Sequence, residues 1–342
     1  MANIRKVAQL AGVSVATVSR VLNHPERVSE KTKNRILSIM EDIDFSPNAL
    51  ARGLNLRRTN TIALIIPDIQ NPLYTEIARG VESIAHRNGN NLLLCNTEKD
   101  VAKEKSYVQM LIEKKIDGVI LAYTGLKDED FQEIINKEIS LILCGMNSAS
   151  MKISSVYSDF RQGTALAVQH LIKLGYKRIA CITGTDRYIE NREKVQGYIE
   201  TMEKASLDVQ PHYLVHGNDD INSGYLSALK LQKLEQKPEA VFVCNDLMAI
   251  GAINAMQKAG LKVPEDIGVV GYDNIVMGSF IEPKLTTVSW PVYKMGILSA
   301  RILLDEVNSK SEDIYTQSIL LKPKLKIRKS CGHIDRVSEI FD

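Results

Sequence analysis

The stretch SVATVSRVLN at residues 14–23 sets short polar groups and one arginine on what reads as a single short helix. On a 3.6-residue period Val18, Val21 and Leu22 share an inward face, leaving Ala16, Thr17, Ser19, Arg20 and Asn23 outward. Such a set suits recognition rather than catalysis. A helix that enters the DNA major groove needs small side chains that let its backbone approach, and a few that reach base edges. Val15 and Ala16 can meet thymine methyls, and Arg20 can bond guanine O6 and N7 or a phosphate. Thr17 and Ser19 suit phosphate contacts, which position a helix without reading sequence. Ser14 and Asn23, at the two ends, complete the candidate DNA-contacting set.

Other chemistries find little support. No G-x-G-x-x-G follows a strand-like run, and neither a P-loop nor a nucleophile elbow occurs. The six histidines, at 24, 86, 170, 212, 216 and 333, form no metal-spaced pair, and His170 is expected on a helix surface. Four of the five cysteines (95, 144, 181 and 244) sit in apolar runs, and Cys331 stands apart. Reduced core thiols are expected, with no disulfide, metal or cofactor. The sequence therefore points away from an enzyme.

The elements that must position the reading helix are legible around it. Ile4, Val7, Ala8 and Ala11 recur at i, i+3, i+4 and i+7, and Gly12-Val13-Ser14 makes a tight turn with Ser14 as cap. A third helix follows Ser29, with Ile36, Leu37, Ile39, Met40 and Ile43 apolar. Residues 1–46 thus form a helix-turn-helix head. Ser46 and Pro47 then open a segment of about nine residues, shorter than the roughly 12–15 an isolated helix needs. Residues 47–60 are assigned as hinge and linker.

From residue 61 the pattern changes. Apolar runs such as TIALIIPD, DGVILAY, RIACITG and AVFVCND alternate with helical stretches, as in parallel sheets covered on both faces. With 342 residues, 44% hydrophobic and 25% charged, the chain can bury several cores. Residues 1–60 carry ten Lys/Arg against five Asp/Glu, and the remainder 33 against 36. A basic head on a mildly acidic body suits contact with a polyanion. No run approaches a membrane span and no signal peptide is evident, so a cytoplasmic protein without membrane contact is expected.

The run VAQLAGVSVATVSRVLN, with FSPNALARGL after it, resembles the DNA-binding head of the LacI/GalR family of bacterial repressors. The stretch CNDLMAIGAINAMQKAGLKVPEDIGVVGYDN and the ending KPKLKIRKS are similar to that family's periplasmic-binding-protein-like core, so the resemblance covers roughly residues 2–330. It implies an all-α head and an α/β core of two doubly wound subdomains, placed here at 61–158 plus 291–320 and at 159–290 plus 321–330. It also implies a homodimeric repressor on near-palindromic operator DNA, controlled by a small-molecule effector, here of a carbohydrate-utilisation operon. The family's hinge helix pairs in the minor groove and wedges a leucine between base pairs. Leu54 matches that leucine, with Ala51, Gly53 and Asn55 beside it. The tail offers only Ile334, Val337 and Ile340, too few for a tetramer-forming coiled coil. A solute-binding protein without DNA function is the competing reading, opposed by the basic head.

In such cores ligands bind where strand ends face the cleft. The effector candidates are Asp68, Asn71, Tyr74, Asp159, Arg192, Lys194, Asp219, Asp246 and Asp273, because carboxylates and cations can bond a polyol while a ring stacks on it. Capping or turn roles stand beside ligand contact for Asp246, Asp273 and Asn71. Asp219 lies where sugar-binding members often carry an aromatic residue, and Lys194 where many have arginine. Tyr293 and Arg301 resemble the docking helix of the catabolite control branch, which uses a phosphorylated carrier protein as co-repressor. Asp305 and Glu306 beside Arg301 disfavour a phosphoserine partner, so a sugar or sugar derivative is preferred.

Overall fold

The computed structural model describes residues 3–23, 25–45, 58–148, 150–309 and 315–332. Ala51, Gly53, Leu54 and Asn55 of the expected hinge, and Ile334, Val337 and Ile340 of the tail, lie outside the described residues. The chain divides into a head, residues 1–59, and a body, residues 60–342, described separately below.

In the head, α1 (Ile4–Ala11) starts on Asn3, whose side chain accepts from the Lys6 amide at 2.9 Å. It ends on Gly12 at φ +59°, a left-handed conformation that glycine adopts without a Cβ penalty. Helix α2 (Val15–Asn23) follows at once, and α3 (Glu30–Asp42) starts on the Ser29 cap. Val7, Ala8, Ala11, Val18, Val21, Ile36 and Met40 close a small core between them. Leu37 does not join it and is 43% exposed. One residue past the buried Ile36, it is turned about 100° around the helix.

The body begins with five strands, β1 (Thr61–Ile66), β2 (Asn91–Asn96), β3 (Gly118–Ala122), β4 (Ser140–Cys144) and β5 (Ser154–Ser158). Helices α4 (Pro72–Arg87), α5 (Val101–Glu113) and α6 (Asp128–Asn136) connect the first four. The chain then crosses to a second subdomain through α7 (Phe160–Lys173), β6 (Ile179–Thr183), α8 (Ile189–Lys204), β7 (Leu214–His216) and α9 (Ile221–Gln232). There it continues with β8 (Ala240–Val243), α10 (Asp246–Lys258), β9 (Gly268–Tyr272) and β10 (Thr286–Ser289). It returns for α11 (Val292–Asn308) and β11 (Ser318–Leu321), then crosses a third time for β12 (Lys324–Lys326).

Two six-stranded sheets result, ordered β11-β5-β4-β3-β1-β2 and β12-β10-β9-β8-β6-β7. All pairs are parallel except β10 with β12. The apolar runs become central strands buried on both faces, as β1, β3 and β6 show. Strands β5, β7, β10, β11 and β12 are short or polar and carry no such run; SSVYS and TTVS hold only one or two apolar residues each. Helix α11 docks against α4 where glycines let the backbones meet. A Cβ on Gly80 would lie 2.3 Å from the Tyr293 carbonyl oxygen, and one on Gly296 2.3 Å from that of Ile77. That contact fixes the helix whose first turn carries Tyr74. Among the described residues no helix is long and apolar enough to cross a membrane.

Candidate effector cleft and nucleic-acid interface

Parallel strands deliver their C-terminal ends to one edge, so both sheets bring their post-strand residues to the cleft between subdomains. From the first subdomain come Tyr74, on the first turn of α4, and Tyr123, directly after β3. Their rings meet edge-on, with centroids 5.5 Å apart. Two of the three crossovers add Phe160 and Trp290, perpendicular to each other at 6.4 Å, each 6.3 Å from Tyr123. The second subdomain adds Tyr272, at the end of β9 and 6.4 Å from Phe160. Aromatic rings therefore continue from one subdomain to the other.

Charged groups meet this wall. Lys194 is buried on α8, with Nζ donating to the Cys244 carbonyl at 2.8 Å. The ammonium sits 4.1 Å from the Tyr272 ring centroid and 3.9 Å from Asp273 Oδ1. Burial pushes the Asp273 carboxyl up to about 6, with Lys194 pulling it down and Asp219 adding to the rise. Glu190, one helical turn before Lys194, is also buried. Its carboxyl is pushed up to about 8 by burial, against the pull of Lys194. Asp219 follows β7 and is held by four donor contacts. The Thr185 amide reaches Oδ2 at 3.2 Å, Asn191 Nδ2 lies 3.2 and 3.3 Å from the two oxygens, and Asn245 Nδ2 lies 3.1 Å from Oδ1.

Tyr74 and Tyr123 lie near enough to these acids to feel their charge. Burial raises both well above the ordinary tyrosine range, and the charges of Glu190 and Asp273 raise them further. Tyr123 OH and Trp290 Nε1 are buried without a hydrogen-bond partner among the described residues, although Trp290 lies close enough to Asp273 to favour its ionised form. Tyr123 (φ +54°), Asp219 (+62°) and Asp273 (+105°) hold left-handed backbone. Such strain persists where the surroundings over-determine it, and here it gathers in the cleft. An orphaned tyrosine hydroxyl, strained residues and perturbed acids make this place the candidate binding site.

Of the nine effector candidates, the structure brings Tyr74, Lys194, Asp219 and Asp273 together. Asp68 stands nearer the mouth, half-buried and 3.9 Å from Lys99 Nζ. The other four are engaged in the framework. Asn71 caps α4, accepting from the Leu73 amide at 3.0 Å, and Asp159 caps α7, accepting from Gln162 at 2.8 Å. Arg192 is exposed and donates to the carbonyls of Asp186 and Arg187, so it braces the loop before α8. Asp246 is fully buried, accepting from Thr287 Oγ1 at 2.6 Å and the Ile275 amide at 2.9 Å. It ties α10 to the segments after β9 and in β10, while Asn245 is the helix cap. His170 is not on a bare surface either: Nε2 lies 3.2 Å from Cys331 Sγ. All five cysteines are buried and free, and no group of metal-ligating residues occurs among the described residues.

In the head, Ser14 Oγ accepts from the Thr17 amide at 3.1 Å and pairs with Thr17 Oγ1 at 2.9 Å, so both hydroxyls take part in capping α2. Val15 (42% exposed), Ala16 and Arg20 stand outward, whereas Thr17 and Ser19 are half-buried. Asn23 closes the helix. The exposed apolar start and the outward arginine form the face expected of a reading helix.

Comparison with known proteins agrees with both halves. The family model for bacterial regulatory proteins of the lacI family matches residues 3–48, and the periplasmic binding protein-like domain matches residues 168–331. The chain is 34% identical to the HTH-type transcriptional repressor PurR of Aliivibrio salmonicida (strain LFI1238), over 96% of this chain and 99% of the relative. The chain belongs to the LacI family of bacterial transcriptional regulators. It is also 35% identical to catabolite control protein A of Priestia megaterium, over 96% of this chain and 98% of that one. Among solved structures, the lac repressor dimer bound to operator and the anti-inducer ONPF superposes with a TM-score of 0.84 at 27% identity, covering 96% and 98% of the two chains. The transcriptional regulator CelR in complex with cellobiose gives 0.74 at 28%, covering 96% and 100%. This LacI-family chain is thus a transcriptional repressor with a helix-turn-helix head and an effector-binding core, in a family of regulators rather than enzymes.

Several groups in the cleft carried no signal in the sequence. Tyr123 directly follows β3 and Asn245 stands two residues past β8, so strand-end logic extends to them. Glu190 and Tyr188 precede the Lys194 turn of α8, and only the fold shows them buried. Trp290 follows β10, a strand with little apolar character of its own.

Proposed function

We propose that this repressor controls a carbohydrate-utilisation operon and that a sugar or sugar derivative in the cleft sets its affinity for operator DNA. The observation that carries this is the aromatic wall of Tyr74, Tyr123, Phe160, Trp290 and Tyr272, set beside the buried acids Glu190 and Asp273 and the Lys194 ammonium. A polyol both donates and accepts hydrogen bonds, and its C–H faces stack on rings. Three acids against the single Lys194 disfavour an anionic effector such as a sugar phosphate. CelR was captured with cellobiose, in keeping with a sugar site in this fold.

On DNA, α2 reads the major groove through Val15, Ala16 and Arg20, with Ser14, Thr17, Ser19 and Asn23 positioning it on phosphates. Ala51, Leu54 and Asn55 are assigned to the minor groove on sequence alone. The working unit is a cytoplasmic homodimer, supported by the exposed apolar Val276, Met277 and Phe280. A phosphorylated carrier is the weaker reading. Asp305 is exposed one turn from Arg301, where it would repel a phosphoserine.

The test is a thermal-shift screen of the full-length protein against sugars and amino sugars, sugar phosphates and nucleosides, followed by operator anisotropy with each hit. Ligands that bind only the folded state raise the melting temperature. Shifts with sugars, coupled to a change in operator affinity, are expected. Shifts with nucleosides or sugar phosphates alone would overturn the effector assignment.

A further inference from the structure

The cleft holds more acid than base. Glu190 and Asp273 are buried, Asp219 is half-buried, and one ammonium, that of Lys194, stands among them. Lys194 is itself committed to Asp273, the Cys244 carbonyl and the Tyr272 ring. Asp219 has neutral donors on both oxygens. Glu190 has no such set; the one donor that favours its ionised form is its own backbone amide. A buried carboxylate that shares its one nearby cation with another acid, as Glu190 shares Lys194 with Asp273, either keeps its proton or takes up a further cation. Burial holds the Glu190 proton against the pull of Lys194, so that one shared ammonium does not fully offset the charge.

The surroundings say what kind of cation fits. Tyr123 OH, more than nine-tenths buried, lacks a hydrogen-bond partner among the described residues and lies near enough to Glu190 to feel its charge. Aromatic faces attract cations as well as stacking on sugar rings. A hydroxyl could satisfy a lone pair of Glu190 but would leave its charge unmatched. An ammonium satisfies both.

We propose that the effector is an amino sugar, and that Glu190 takes its ammonium group while the aromatic wall holds the ring. The proposal rests on the carbohydrate reading above and narrows it. With the amine bound, the cleft carries two cations against three acids instead of one. The residue then discriminates an amino sugar from its parent hydroxyl sugar, because only the amine supplies the missing charge.

Calorimetry on the full-length protein with matched pairs tests this: glucosamine with glucose, galactosamine with galactose, mannosamine with mannose. The N-acetyl derivatives serve as amines without charge. At least one amine is expected to bind about tenfold or more tighter than both its parent and its N-acetyl form. Glu190→Gln is expected to shrink that ratio to below about threefold. A parent sugar that binds as tightly as its amine overturns the proposal and leaves the carbohydrate reading standing. Failure of every sugar, charged or neutral, overturns both. A preference that survives Glu190→Gln undiminished removes Glu190 from the role. The comparison on the unmodified protein decides the ligand class whether or not the variant folds.

Discussion

Arg187 Nη1 donates to the Lys99 carbonyl at 2.6 Å, joining the second subdomain to the first across the cleft mouth. Lys99 answers in the other direction, its Nζ donating to the Asn218 carbonyl at 2.9 Å. Neither bond touches the cleft interior, so both act on closure rather than on ligand chemistry. Both are solvent-accessible, and a net contribution of about 1 kcal/mol is expected from each. Arg187→Ala should therefore weaken effector binding by about three- to tenfold, mainly through faster release, with the circular-dichroism spectrum unchanged. Release as slow as in the parent, measured by stopped flow, would show that this clasp does not hold the subdomains together.

Lys194 is the second test. Replacing it with methionine keeps the length and the ring contact but removes the charge beside Asp273. Leaving a buried acid alone costs about 3 kcal/mol unless it takes a proton. Lys194→Met should lower stability by that order at pH 8 and by less at pH 5, where Asp273 can be protonated. Urea midpoints at the two pH values check this. Equal losses at both would show that the lysine acts by packing alone.

The acids make their own pH signature. Glu190 has a folded-state pKa of about 8 against an ordinary 4.5, and Asp273 about 6 against 3.8. Both are raised, so the folded state holds these protons more tightly than the unfolded state does. Their contribution is fully present below the ordinary values and is lost as pH rises through the folded ones. The groups facing Glu190 are Lys194, Asp219, Asp273, Tyr74, Tyr123 and Tyr188. Without ligand, the protein should lose a few kcal/mol between about pH 5 and 8. Glu190→Gln should flatten the upper part of that fall. Parallel melting-temperature profiles for the two proteins would remove Glu190 as its source.

How far the sequence carried can be seen in Asp246 and Glu190. Both are buried acids near the start of a helix. Asp246 drew notice because it follows an apolar run, yet its carboxylate turns into the framework and binds Thr287 and Ile275. Glu190 follows a polar loop, looks like a solvated first-turn acid, and proves to be buried, near enough to Tyr74 and Tyr123 for its charge to act on them. Periodicity reports burial on one element, but a carboxylate's partners come from other elements, and no one-dimensional pattern holds them. The strong signals were the apolar runs, which became the central strands β1, β3 and β6 buried on both faces. The weak ones were β5 and β10, polar strands that lie inside sheets because their neighbours cover them.

For the head, Val15 and Ala16 present the exposed start of α2, while Ser14 and Thr17 bond each other. Exchanging Val15 and Ala16 together should change the preferred operator. Lys33→Ala, on α3, removes a charge paired with Glu30 of its own helix at 3.3 Å and should weaken binding evenly across sequences. Selection from a randomised operator library reads both. An unchanged preference after the exchange would remove α2 as the reading helix.

The exposed apolar groups of the body argue for a partner of the same chain. Phe280 is 79% exposed, Val276 66% and Met277 43%, on one short turn after β9. That turn is tied to the start of α10 by the Ile275–Asp246 bond. Helix α9 also packs on α10 and shows Ile221 at 42% and Leu226 at 50%. Three large apolar groups exposed on one short turn form a surface that a lone soluble domain rarely leaves in water. Phe280→Glu should therefore turn a dimer into a monomer at low micromolar concentration in analytical ultracentrifugation. Folding stability of the monomer should change by less than about 0.5 kcal/mol, since the ring buries little within its own chain. DNA binding supplies the second readout. A two-fold protein gains from engaging both half-sites at once, so the variant should lose far more affinity for a palindrome than for a single half-site. Equal losses on the two would mean that Phe280 acts on the head rather than on assembly, and an unchanged dimer would place the interface elsewhere on the body.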